Sequence, residues 1–181
     1  MKKFVILALL LGLLAGCGAA KAETALPEGM PADFEIRYEN WVDENAPNIY
    51  DTGEKLLQKD LVNTVEPHTT QAELTVPDET KQEIYAKVRE CALDRLTDEK
   101  LTSESLTTDN EAVGITPLTE YQITFTAGGE TYTVTGDYTV TEYTEDNGRA
   151  AQFWEFVQYM NGLFYDSPEY QSLPETMGGY M

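Results

Sequence analysis

The sequence predicts an α+β domain, a mainly antiparallel sheet built from meanders with two main helices packed on one face. Three observations carry this expectation. Phe34, Ile36 and Tyr38 alternate with Glu35, Arg37 and Glu39. A Gly128-Gly129 pair sits between two alternating runs, and two further stretches place apolar residues three and four apart. A period of two marks a half-buried strand, and one near 3.6 marks a helix with a buried stripe.

The first strand follows Asp33, and Asp43-Glu44-Asn45-Ala46-Pro47-Asn48 closes it with a turn. A second extended stretch runs from Ile49 to Val62, with Gly53 as a bend or bulge. After a loop holding Pro67 and His68, the alternation of Thr70, Ala72, Leu74 and Val76 predicts another strand. Pro77, Asp78 and Glu79 suit the first turn of a helix, where proline loses no hydrogen bond and acids meet the positive end of the dipole. Ile84, Val88 and Cys91, flanked by Tyr85 and Ala92, form its apolar stripe.

Residues 97–117 are polar and threonine-rich and read as a long loop. Tyr121, Ile123 and Phe125 then lead into Ala127-Gly128-Gly129-Glu130, and Tyr132 and Val134 lead out. The glycine pair supplies the positive φ of a tight hairpin turn. A further extended piece is expected around Tyr138–Val140. A second helix carries Ala150, Phe153, Val157, Met160 and Phe164 on one stripe, and Ser167-Pro168-Glu169 caps a last short helix. Both halves of the chain run strands then helix, without a residue-level repeat.

The start of the chain carries a different kind of signal. Lys2 and Lys3 precede an apolar run, Phe4 to Leu14, that is shorter than the roughly 20 residues needed to span a bilayer. It suits the core of a secretory signal. Leu14-Ala15-Gly16-Cys17 closes it and resembles the lipobox of bacterial lipoproteins. That resemblance implies cleavage before Cys17 and a thioether-linked diacylglycerol on its sulfur. Residues 1–16 are then the signal peptide, 17–32 the lipidated cysteine with a flexible tether, and 33–181 a single α+β domain. The chain also resembles small uncharacterised lipoproteins of Firmicutes in its signal and layout, but no family motif is matched in the mature domain. The implied address is the outer face of the cell membrane. For a Gram-negative source, Gly18 after the cysteine implies the outer membrane.

Charge and cysteine content narrow the chemistry. The formal net charge is −20, and cleavage would remove two of the twelve basic residues with the leader. So acidic a chain lacks the cations that phosphates require, which argues against nucleic acid as a partner. It also repels anionic headgroups, so the lipid is expected to hold the body while the charge pushes it away. With Cys17 lipidated, Cys91 has no cysteine partner within the chain, and its place on an apolar helix stripe reads as a small core residue.

No catalytic residue is identified. His68 is the sole histidine, and no Gly-x-Ser-x-Gly or Ser-x-x-Lys frames a nucleophile. Three acidic clusters, Asp43-Glu44-Asn45, Asp109-Asn110-Glu111 and Glu145-Asp146-Asn147, lack the spacing of a calcium loop, so neither a metal nor a cofactor is assigned. Leu173-Pro174-Glu175-Thr176-Met177 resembles a sortase signal, yet methionine stands where glycine is required. Eleven tyrosines and two tryptophans are many for this length, and Trp154, off the main stripe of its helix, is the candidate contact residue if exposed.

These features point first to a lipid-anchored, non-catalytic module that binds another exported protein. A lipoprotein that binds a solute or cation through its acidic surface is the alternative, and an enzyme of unknown type comes third.

Overall fold

The computed structural model describes residues 23–62, 66–97, 101, 118–137, 148–176 and 178. Six strands form one antiparallel sheet: β1 (Glu35–Trp41), β2 (Asn48–Asp51), β3 (Leu56–Asp60), β4 (Thr69–Glu73), β5 (Glu120–Ala127) and β6 (Glu130–Asp137). Their order is β4-β3-β2-β1-β5-β6. The first four make a meander running outward from β1, and the β5–β6 hairpin then adds to the other side of β1. The helices are α1 (Asp78–Glu90), α2 (Gly148–Asp166) and the short α3 (Pro168–Ser172). No helix among the described residues is long and apolar enough to cross a membrane. Cys17, the expected signal peptide and the expected strand around Tyr138–Val140 lie outside the described residues, as does most of the loop expected over 97–117.

Register separates the two faces of the sheet. Across the middle, Leu57, Tyr50, Tyr38, Ile123 and Val134 lie on one line of paired positions, and all are buried. One residue along, the other face carries Gln71, Gln58, Ile49, Glu39, Gln122 and Thr135, all polar except Ile49. A one-residue shift exchanges the faces, so the burial of Ile36 and Tyr38 fixes the register of the central strand. The polar face is knitted by side chains: Arg37 bonds Glu39 at 2.8 Å and Asp51 at 2.9 Å, and the threonine pairs 124/133 and 126/131 lie 3.3 and 3.1 Å apart.

Both main helices cover the apolar face. Ile84, Tyr85 and Val88 of α1 are buried, and Tyr85 meets Phe34 edge-on with ring centroids 5.0 Å apart. On α2 the burial extends beyond the expected stripe to include Phe156. The Tyr38 hydroxyl donates to Asn161 Oδ1 at 2.7 Å, joining the central strand to α2. The two helices meet each other through Lys87 and Glu155. The turn geometry follows the expectation: Gly128 and Gly129 both have positive φ, +65° and +84°. The stretch from Ile49 to Val62 is two strands rather than one, folded back at Thr52–Lys55, where Asp51 Oδ1 accepts from the amides of Gly53 and Glu54.

The tether needs correction. Residues 23–30, within the segment read as flexible, lie against α1 and the turn after it. Leu26 is 7% exposed and joins the main core cluster. Asp94 accepts from the Thr24 hydroxyl and the Ala25 amide, Tyr85 donates to the Pro27 carbonyl, and Arg89 and Arg95 reach the carbonyls of Glu28 and Glu23. A segment with no periodicity is held here by contacts 58 to 72 positions away in sequence, which local pattern does not report.

Candidate functional site

Six side chains from separate elements converge at the end of the sheet where β1 and β3 finish and β2 and β5 begin. Asn40 comes from β1, Asn48 from β2, Asp60 from β3, Tyr121 from β5, Tyr165 from α2 and Tyr170 from α3. Together they line an open cleft of about 270 Å³. The floor is polar and built. Asn48 Nδ2 donates to Asn40 Oδ1 at 3.0 Å, and Asn48 Oδ1 accepts from the Asp60 amide at 2.8 Å. Asp60 Oδ1 in turn accepts from the Val62 amide at 2.7 Å. These bonds hold three strand ends in one geometry, and Asn40 and Asp60 are each more than nine-tenths buried.

The walls are aromatic. Tyr165 and Tyr170 meet edge-on with centroids 5.2 Å apart, and Phe164 packs against both. Ser167 places α3 by accepting from the Tyr170 amide while its own hydroxyl bonds the Phe164 carbonyl. Tyr165 is the one exposed large hydrophobic residue among the described residues, at 39%. Burial around its hydroxyl, followed by the nearby Tyr170 and Asp60, pushes its pKa up to about 12. The Tyr170 pKa is raised by burial and then by Asp60. Both phenols therefore remain protonated at neutral pH and offer hydroxyl donors. Lys59 lies with Nζ 4.3 Å from the centre of the Tyr170 ring, a cation–π contact that stiffens this wall.

A second, wider groove of about 430 Å³ lies between the β4–α1 connection and the α2–α3 junction, among Tyr50, Leu74, Pro77 and Leu163. Its accessible lining is mostly apolar, and it lacks the floor of bonded amides seen in the first cleft.

The sequence candidates fall elsewhere. Trp154 is half-buried and packs edge-on against Tyr121 at 6.0 Å, so it supports a wall residue and does not line the cleft. Cys91 is fully buried. His68 Nε2 lies 3.3 Å from Glu66 in the loop before β4. Asp43 accepts from the amide and side chain of Asn45, so that acidic cluster serves its own turn, and the other two lie outside the described residues. No group of three or more His, Cys, Asp or Glu among the described residues is placed to hold a metal ion.

Sequence reasoning missed Asn40, Asn48, Asp60, Tyr165 and Tyr170 as site residues. One signal was present: Asn40 continues the phase of Ile36 and Tyr38, so a polar residue occupies a core-face position. What it meets there depends on pairing with β2, which phase alone does not reveal. Comparison with known proteins returns no match to a family model, a curated sequence or a solved structure.

Proposed function

We propose that the chain is an exported lipoprotein, diacylated on Cys17, whose body binds a small solute without transforming it. The observation that supports this is the convergence of Asn40, Asn48, Asp60, Tyr121, Tyr165 and Tyr170 on one cleft. A few fixed polar groups between apolar walls are the usual composition of a small-molecule site. The tyrosine rings suit a flat apolar flank of a ligand, and the carboxylate suits its hydrogen-bond donors. Among the described residues that line the cleft Asp60 is the one charged side chain, which favours a donor-bearing solute over an anion. The ligand class is a small donor-rich solute, aminated or hydroxylated.

Two measurements test the reading. Metabolic labelling with a palmitate analogue should mark the full chain and fail on Cys17→Ala. Calorimetric titration of the purified protein with choline, putrescine and neutral monosaccharides should find a binder that both Asp60→Asn and Tyr170→Ala weaken. Binding left unchanged by both substitutions, or no binder in the panel, counts against the cleft.

The protein-interaction reading is second. Its support is β4, whose outer edge has no neighbouring strand among the described residues, leaving backbone groups open to pairing with another chain. Crosslinking on intact cells, with Cys17→Ala as the unanchored control, should then capture one dominant partner that proline at Gln71 removes. Among the described residues the polar face of the sheet carries half-buried Trp41 but no exposed large aromatic side chain, so it adds no patch to this reading.

A further inference from the structure

We infer that the segment Glu23–Met30 is a strap that holds the body close to the membrane, with the corner formed by Asp94 and Arg95 toward the lipid. This rests on lipidation of Cys17 as proposed above. The strap runs antiparallel to α1: Glu28 lies by Arg89, and Glu23 by Arg95. Its receptor is Asp94, whose side chain is only 3% exposed and takes both the Thr24 hydroxyl at 2.7 Å and the Ala25 amide at 2.8 Å. Leu26 follows directly and enters the core. Hydrogen bonds to a shielded carboxylate beside a buried leucine make a latch rather than a passing contact.

The latch sets the length of the leash. Between Cys17 and the pinned Glu23 the chain reaches about 20 Å when fully extended. If the strap were free, the next fixed point would be Phe34, buried in the core against Tyr85, and the reach would be about 60 Å. The strap thus removes roughly two thirds of the available stand-off. Because its first pinned residue lies at the Asp94–Arg95 corner, that corner is the part of the body nearest the anchor. Arg95 is half-exposed at the same place and pairs with Asp94 across 3.3 Å, so the corner carries little net charge for anionic headgroups to repel. Charge repulsion of the body then acts against a short, latched leash and tilts the remainder outward.

The test uses the full lipidated chain in vesicles containing anionic lipid and a headgroup-level quencher. A fluorophore is placed at Thr97→Cys, an exposed position just beyond the corner, while fully buried Cys91 stays unlabelled in the folded protein. Quenching should be strong in the labelled parent. It should fall at least about twofold in Leu26→Asp, and equally when a Gly/Ser insertion of about twelve residues lengthens the chain before Glu23. The insertion leaves the core untouched, so it decides the matter if Leu26→Asp fails to fold. A protein lacking lipid by mass fails the earlier reading. A lipidated protein whose quenching is weak, or unchanged by the insertion, overturns the strap.

Discussion

The Thr24 hydroxyl donates to the Asp94 carboxylate at 2.7 Å across seventy positions of sequence. The same hydroxyl accepts from the Leu26 amide at 3.1 Å, so one side chain both shapes the strap and docks it. The entry of the chain into the fold is therefore set at the far end of α1, and not at the start of β1.

Asp94→Ala should weaken this docking. The lost bonds involve a shielded carboxylate, and the expected destabilisation is about 1–3 kcal/mol. A lower urea midpoint should be accompanied by faster hydrogen exchange at Ala25 and Leu26. A lower midpoint with unchanged exchange there would place the effect elsewhere.

Gly136→Ala should be destabilising for steric reasons alone. A Cβ at this position would lie 2.5 Å from Phe153 Cε1 and 3.1 Å from the Leu101 carbonyl oxygen. Phe153 of α2 is fully buried against the sheet, so its ring has little room to yield. Overpacking of this kind costs about 1–3 kcal/mol, readable as a drop in Tm. A melting temperature equal to the parent's would show that the ring does move.

Tyr38→Phe removes the donor to Asn161 Oδ1 while leaving the ring in place. The tyrosine is fully buried, and burial holds its phenol protonated well above the ordinary range. Losing this bond to half-buried Asn161 should cost about 0.5–1.5 kcal/mol, measured by chemical denaturation. Pairing Tyr38→Phe with Asn161→Leu should recover part of the loss if the hydrogen bond is its origin.

Asp33 should give part of the acid response of the fold. The Gly129 and Gly128 amides donate to its carboxylate at 2.6 and 2.9 Å and lower its pKa below the ordinary aspartate value. A depressed folded pKa means that its contribution is complete above the unfolded value and is lost as pH falls through the folded one. Asp33→Asn should therefore flatten stability against pH in that acidic window and leave the profile near neutrality unchanged in shape. A profile of unaltered slope in acid would remove Asp33 from that role. Its own titration, followed by carboxyl NMR, should lie below that of an unperturbed aspartate.

Local chemistry made much of the fold legible. The Gly128-Gly129 turn, the helix opening at Pro77 and the Ser167 cap each depend on residues within a few positions, and each stands where the pattern placed it. The buried phase of Ile36 and Tyr38 and the stripe from Ala150 to Phe164 follow from periodicity in the same way. Tertiary structure decided the remainder. Phe156 is buried at the edge of the α2 stripe, and Leu26 is buried where Asp94 and Tyr85 hold the strap around it. The cleft unites residues numbered 40, 48, 60, 121, 165 and 170, brought together by strand order and by the turn between α2 and α3. Hydrophobic period and turn chemistry act over a few residues and can be read along the chain. Strap and cleft arise from contacts between distant segments, whose energies appear only once the sheet has set its order.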